Sequence, residues 1–78
     1  MHVTYDGSVN AAYIRLKDHI APGESKAQFA CHAEGKGSAP GVEIILDFDR
    51  DGHLIGIEVL HASHGLPKEL LDQAQVIG

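Results

Sequence analysis

The sequence VEIILDFDRDGHLIGIEVL, residues 42–60, decides how this 78-residue chain folds. Its acidic centre matches the calcium-loop pattern D-x-[DN]-x-[DN]-G-x5-E at every specified position, namely Asp47, Asp49, Asp51, Gly52 and Glu58. The same stretch also contains two alternating apolar runs around an Asp-Gly pair, which is typical of a hairpin turn. The two interpretations exclude each other, because helices flank a calcium loop whereas strands flank a hairpin.

The pairing register favours the hairpin. With a two-residue Asp51-Gly52 loop, apolar residues oppose each other on one face of the sheet, as burial requires: Phe48 with Ile55, Leu46 with Ile57, and Ile44 with Val59. Asp49 and Glu58 would then lie roughly 13 Å apart along the strands, too far for one ion to bridge. The sequence therefore predicts a β-hairpin in which Gly52 supplies the positive φ of the turn.

The remaining elements are predicted around this hairpin. Alternation predicts a first hairpin over residues 3–16 and a half-buried third strand over 27–33, followed by a flexible connector over 35–41. Pro67 and a leucine-rich apolar stripe predict one helix of about ten residues that docks on the sheet. We expect a single α+β domain over residues 1–78, an antiparallel four- to five-stranded β-meander with one C-terminal helix packed on the sheet.

Composition excludes several classes of partner. The formal net charge of −5, with only six Lys and Arg, argues against nucleic acid, whose phosphates attract a basic surface. No apolar run reaches the ~20 residues of a membrane span, and the amino terminus lacks a secretory signal pattern. We therefore expect no membrane partner and a cytoplasmic location. One cysteine excludes an internal disulfide, and so thin a core commonly depends on a metal or a partner chain.

Three motifs carry a family resemblance: YDGSVNAAYIRL near the start, LDFDRDGHLIGIEVLHAS in the centre, and the leucine-rich end. They resemble the domain of unknown function 2283 family of small prokaryotic proteins over nearly the whole chain. Two features depart from the family pattern. Ala12 stands where a larger apolar residue is usual, and the stretch 30–41 is longer than the family's common connector. The resemblance implies an α+β fold and no assigned activity. It also adds the hypothesis of an antitoxin-like protein with a small basic protein partner.

The six histidines raise a metal hypothesis. His61 and His64 lie three residues apart and Glu58 lies three before His61, so these three are candidate zinc or nickel ligands, beside the acidic tip Asp47–Asp51. A strand end and a loop give them no convergent geometry, so solvated histidines are the favoured interpretation and no cofactor is expected. Ser63 lacks the first glycine of a nucleophile elbow, and we expect no enzyme.

The sheet face opposite the helix carries the other candidates. Alternation places much apolar surface there, too much to remain in water, on the interface or ligand candidates Tyr13, Ile45, Leu54, Glu58 and Leu60. The leading hypothesis is a non-enzymatic interaction module that forms a homodimer through this face or through an edge strand. The alternative is a protein that binds a metal or a small ligand in the region of Glu58, His61 and His64 or at the Asp47–Asp51 tip. A small ligand could also lie around Tyr13 and Glu58.

Overall fold

A computed structural model describes residues 1–37 and 41–78, so the predicted connector 35–41 lies partly outside the described residues. The described residues form a six-stranded mixed sheet and two short helices, which confirms the α+β class. The elements are β1 His2–Asp6, β2 Ala11–Arg15, β3 Ala27–Ala33, β4 Val42–Phe48, β5 Leu54–Leu60, α1 Ala62–Gly65, α2 Lys68–Gln73 and β6 Gln75–Val76.

The strand order β3-β4-β5-β2-β1-β6 departs from the predicted meander. β3, β4 and β5 form an antiparallel meander, but the β1–β2 hairpin joins β5 on its other side. β6 then pairs in parallel with β1. The chain between β2 and β3 therefore crosses the sheet, and β3 and β6 are its two edges. The meander prediction is correct for one half of the sheet only.

The β4–β5 hairpin confirms the strand interpretation of the acidic stretch. Ile45 pairs with Glu58, and the apolar pairs Leu46–Ile57 and Ile44–Val59 form as predicted. The segments flanking the acidic residues are thus strands, as the alternating β-branched residues indicate, and not the helices of a calcium loop.

The tip of this hairpin differs from the prediction by one residue. The N–H of Asp49 donates to the carbonyl oxygen of His53 at 2.9 Å, so the loop has three residues, 50–52, with Gly52 at φ 86°. An odd loop alone would mismatch the two faces of the hairpin. A β-bulge compensates for it, since the register shifts between Asp47 and Phe48 and pairs Phe48 with Leu54 instead of Ile55.

The carboxy-terminal region is not the single helix that was predicted. α1 follows β5 after one residue and α2 has only six residues. The chain then returns to the sheet, where the N–H of Ile77 donates to the carbonyl oxygen of Tyr5 at 2.9 Å. No helix within residues 1–37 and 41–78 has both the length and the apolar character needed to cross a membrane.

The core lies between the helices and one face of the sheet, which we name the helix face. Ala12, Val59 and Ala62 are buried at its centre, and larger residues pack around them without becoming fully buried: Tyr5, Val42, Ile57, Leu66 and Leu71. A compact domain of 8.3 kDa exposes about 4,600 Å² of surface. This chain exposes 5249 Å², so it is thinly packed for its mass.

Candidate functional site

The opposite face of the sheet carries Tyr13, and we name it the tyrosine face. Tyr13 pairs with Glu58, which in turn pairs with Ile45, so these three residues form one row across β2, β5 and β4. Leu60 lies on the same face, two residues from Glu58 along β5. Leu54 was expected on this face but does not lie there. The bulge pairs Leu54 with Phe48, and Phe48 follows the helix-face residues Ile44 and Leu46 along β4.

A hydrogen-bonded carboxylate lies under this face. Asp47 is only 6% exposed and is the buried charged residue of the described chain. The hydroxyl of Tyr13 donates to its Oδ2 at 2.9 Å, while the amide Nε2 of Gln28 and the hydroxyl of Ser25 donate to Oδ1 at 2.7 and 3.3 Å. A buried carboxylate is tolerated only when it is bonded in this way. Asp47 therefore joins β2, β3 and β4 into one polar network.

Gly56 allows Tyr13 to reach Asp47. It is the residue of β5 that pairs with Asp47 on one side and with Arg15 on the other. A Cβ atom built on Gly56 would overlap the hydroxyl and the ring of Tyr13, so the tyrosine lies directly across the glycine. A glycine inside a strand often marks such a close approach. This role of Gly56 is absent from the predicted site, although an isolated glycine in an apolar run is a signal for it.

The surroundings of Tyr13 favour its neutral form. Burial comes first among the causes that raise the pKa of Tyr13 to about 12, followed by the hydrogen bond to Asp47 and the charges of Asp47 and Glu58. A general base works best with a pKa near the working pH, whereas the pKa of Tyr13 lies far above neutral pH. This phenol therefore acts as a hydrogen-bond donor that fixes the sheet.

The chain that crosses the sheet, residues 16–26, covers one end of the tyrosine face, and we name it the crossing segment. The N–H of Leu16 donates to the carbonyl oxygen of Ile55 at 2.9 Å, and the N–H of Lys26 donates to that of Phe48 at 2.8 Å. Lys17 and Glu24 form an ion pair inside it. The hydrogen bond from Lys17, followed by that from the N–H of Ala21, lowers the pKa of Glu24. The segment is thus tied at both ends and across its middle.

A groove lies between the crossing segment and the first two strands. Its volume is about 510 Å³, and its lining residues are His2, Thr4, Tyr13, Arg15, His19 and Ile20. On the other side of Tyr13 lies a smaller groove of about 180 Å³, whose lining includes the carboxylates of Asp6 and Glu58. Tyr13 therefore separates a groove lined by a guanidinium and two imidazoles from one lined by two carboxylates.

The acidic tip is organised by its own turn. Oδ1 of Asp49 accepts hydrogen bonds from the backbone N–H groups of Asp51 and His53, both at 2.9 Å. These bonds, that from His53 first, lower the pKa of Asp49. Asp49, Asp51 and His53 each offer one possible ligand atom to a cluster within 4.8 Å, whereas Asp47 points into its network with Tyr13.

The other predicted metal ligands are not brought together. Among the described residues, Glu58, His61 and His64 do not form a group of possible metal ligands within that distance. His61 has a left-handed backbone, with φ 60°, at the junction of β5 and α1. The hydroxyl of Ser63 accepts a hydrogen bond from Nδ2 of Asn10 at 2.9 Å, which accounts for this serine as a structural residue.

Asn10 links the first hairpin to α1. Its Oδ1 accepts hydrogen bonds from the hydroxyl of Tyr5 at 2.8 Å and from the N–H of Ser63 at 3.0 Å. Its own backbone is left-handed, with φ 53°, a conformation that asparagine tolerates better than most residues. The local sequence predicts the turn at Asn10 but not its contact with α1, because the partner Ser63 lies 53 residues away.

β3 forms a long open edge. All seven residues of the strand, AQFACHA, are exposed, so the expected half-buried strand is wrong. Phe29 is 62% exposed and contacts Phe48 edge-to-face, with ring centroids 5.6 Å apart. The chain's single cysteine, Cys31, is exposed on the same strand.

Comparison with known proteins gives one match. The model of a family described as a protein of unknown function, DUF2283, matches residues 2–63, which contain β1 to β5. No curated protein and no solved structure matches the chain significantly.

Proposed function

The chain belongs to the DUF2283 family of proteins of unknown function, and we propose that it is a non-enzymatic interaction module that forms a homodimer through β3. The observation that carries this proposal is the uncharged open edge of the sheet. β3 contains no Lys, Arg, Asp, Glu or Pro in its seven exposed residues. Its outer backbone groups have no neighbouring strand within the described part of the chain.

The two edges of the sheet differ in a way that supports this assignment. Proteins that remain monomeric commonly protect edge strands with charges, proline, bulges or short length. The edge at β6 is short, with two residues. The edge at β3 has seven residues and none of the protecting features of composition. An unprotected edge of this kind pairs readily with another strand. A second copy of the same chain provides such a strand, because it has the same exposed β3 edge.

Two-fold symmetry keeps the apolar faces together. An antiparallel pair of β3 strands related by a two-fold axis has that axis perpendicular to the sheet, so equivalent faces lie on the same side. In β3 the side chains that share the helix face are small or apolar, and they are Ala27, Phe29, Cys31 and Ala33. α1 contacts β2, β4 and β5, which leaves Phe29 uncovered. Pairing would place the two Phe29 side chains close to the two-fold axis.

The dimensions of the chain are consistent with a missing partner. Its radius of gyration is 12.9 Å, whereas a compact chain of this length has about 11.5 Å. Its exposed surface of 5249 Å² exceeds that of a compact domain by about 650 Å². A standard protein interface buries about 800 Å² on each partner. Dimerisation would therefore remove surface of the order that this chain has in excess.

Sedimentation equilibrium with a charge substitution tests the proposal. We expect the wild-type chain to sediment at twice its mass of 8.3 kDa and the Phe29→Lys variant to sediment as a monomer. Val76→Lys is the matched control, because Val76 is 69% exposed, lies on the opposite edge, and receives the same charge. It should remain a dimer. A monomeric wild-type chain, or a dimer that survives in Phe29→Lys, contradicts the proposal.

A small basic protein is the other occupant that the net charge of −5 favours for this edge. A strand from such a partner would pair with β3 by strand addition and would compete with the second copy. Purification of the native complex from the source cell distinguishes the two. Recovery of a stoichiometric basic partner that is absent from preparations of Phe29→Lys would contradict the homodimer. Repeated recovery of the chain without another protein would support the homodimer.

The acidic tip does not require a metal to explain it, since the turn already bonds Asp49. The sedimentation measurement is therefore repeated with calcium and with zinc. We expect the dimer to be independent of both ions. A dimer that forms only with metal would contradict this expectation. It would favour a metal-binding function at Asp49, Asp51 and His53.

A further inference from the structure

We propose that the groove between β1, β2 and the crossing segment binds a small organic anion, a carboxylate or phosphate group attached to an apolar body. The groove has a volume of about 510 Å³, which is within the usual range for small-molecule sites. It lies on the β1–β2 side of the sheet, whereas the proposed dimer edge is β3 on the other side. The inference is therefore independent of the homodimer.

The strand register places the imidazole of His2 beside the guanidinium of Arg15. His2 of β1 pairs directly with Arg15 of β2, and Thr4 pairs with Tyr13, so four lining side chains form a rectangle on one face. The crossing segment adds a further imidazole, that of His19. An anion in the groove would meet one guanidinium and two imidazoles, all of which can donate hydrogen bonds to it.

The charge of the groove contrasts with that of the chain. The protein has eleven Asp and Glu against six Lys and Arg, yet the described residues that line this groove include no carboxylate. The carboxylates of Asp6 and Glu58 line the smaller groove on the other side of Tyr13. The guanidinium of Arg15 gives this groove a positive group within an acidic protein, which favours negative ligands over cationic ones.

Arg15 is the side chain best suited to hold the charged group. Its Nε donates to the carbonyl oxygen of Lys17 at 3.1 Å, which fixes the guanidinium against the crossing segment. In the part of the chain that is described, its other N–H groups have no protein acceptor and no ion-pair partner. A guanidinium presents paired donors that match the two oxygens of a carboxylate or phosphate.

The apolar part of the ligand has its own contacts. Ile20 is half-buried and lies on the wall formed by the crossing segment, and the ring of Tyr13 forms the opposite boundary. The wall is a built structure, since the Lys17–Glu24 ion pair and the bond from the N–H of Ala21 to Glu24 at 2.9 Å hold it. An acid with a small aromatic or branched body would place its anionic group at Arg15 and its body against these two side chains.

Titration of the full-length chain followed by NMR amide shifts tests the inference, with benzoate, phenyl phosphate, inorganic phosphate and benzylammonium as probes at constant ionic strength. We expect saturable shifts at residues 2–4, 13–15 and 19–20 with benzoate or phenyl phosphate. Which of the two binds more tightly distinguishes a carboxylate from a phosphate ligand. Inorganic phosphate should bind more weakly, because it lacks the apolar body. Equal binding of benzylammonium, or the absence of saturable shifts in these residues, would overturn the proposal.

Two variants separate the groove from the overall charge. Arg15→Gln should weaken binding about tenfold, the usual effect of removing a charged hydrogen-bond donor. Arg50→Gln makes the same change in net charge at the exposed hairpin tip and should leave the affinity unchanged. His19→Gln, in the exposed crossing segment, should weaken binding without altering the sheet spectrum. Equal losses in Arg15→Gln and Arg50→Gln would show a net-charge effect and contradict a built site.

Discussion

The hydroxyl of Tyr13 donates a 2.9 Å hydrogen bond to the buried carboxylate of Asp47, across a strand whose residue at that point is a glycine. This contact connects β2 to β4 over the backbone of β5. It places one polar network on the face of the sheet that has no helix, where apolar burial is least. The contact therefore fixes the sheet in the region where the hydrophobic core does not reach.

Removal of the Tyr13 hydroxyl should destabilise the protein. We expect Tyr13→Phe to lower the free energy of unfolding by about 1–3 kcal/mol, because Asp47 remains buried with one donor fewer. Urea denaturation of Tyr13→Phe, Asp47→Ala and the double variant measures the coupling between the two side chains. Strictly additive losses in this cycle would mean that the hydrogen bond contributes nothing of its own.

A side chain at Gly56 should displace the tyrosine. We expect Gly56→Ala to cost about 1–3 kcal/mol, the usual effect of overpacking, because its Cβ overlaps the ring of Tyr13. In a Tyr13→Ala background the same substitution should cost little, since the overlapping ring is gone. Urea denaturation measures both losses of unfolding free energy. An equal loss in the Tyr13→Ala background would show that the strain does not arise from overlap with the Tyr13 ring.

The ionisation of Tyr13 provides a test by pH. Its folded pKa of about 12 lies above the ordinary value of 10.0, so the folded state holds this proton more tightly than the unfolded state. The resulting stabilisation is complete below pH 10 and is lost as the pH rises from 10 to about 12. Ultraviolet titration of the Tyr5→Phe variant isolates Tyr13, because the chain has two tyrosines. A midpoint near the ordinary value would exclude the burial and the bond to Asp47.

Asn10 should tolerate glycine better than alanine. Both variants lose the hydrogen bonds to Tyr5 and Ser63, but only alanine meets the steric resistance to a φ of 53°. We expect Asn10→Ala to be less stable than wild type by about 2–3 kcal/mol, and Asn10→Gly to be about 1 kcal/mol better than alanine. Thermal denaturation compares the three proteins. Equal stability of the two variants would show that the positive φ of residue 10 imposes no steric cost on alanine.

The sheet was predictable where side-chain alternation determines the pairing. The pairing of Glu58 with Ile45 follows from the period of two in β5 and β4, and two of the three apolar pairs that predict the acidic hairpin form, Leu46–Ile57 and Ile44–Val59. The pairing of Tyr13 with Glu58 depends on the contact between β2 and β5, which alternation does not predict. The tip was predicted one residue out, since a two-residue and a three-residue loop with Gly52 differ only in turn geometry. A bulge two residues from the tip corrects the register, and no sequence pattern marks it.

The carboxy-terminal end and the buried carboxylate were not predictable from local sequence. Leucine periodicity predicted one helix, but β6 forms because Ile77 finds a backbone acceptor on Tyr5 at the other end of the chain. Asp47 resembled its acidic neighbours in the calcium-loop pattern. Its burial depends on Tyr13 and Gln28, which are distant in sequence and are brought close only by the strand order.

Hydrogen exchange of the β3 backbone amides tests the central claim, pairing of two copies through β3, most directly. In an isolated chain, alternate N–H groups of residues 27–33 point away from β4 into water and exchange rapidly. We predict that these outward amides are protected in concentrated wild-type protein and become unprotected in the Phe29→Lys variant. Rapid exchange of the outward β3 amides in a sample that sediments as a dimer would contradict the claim, because the interface would then lie on another surface.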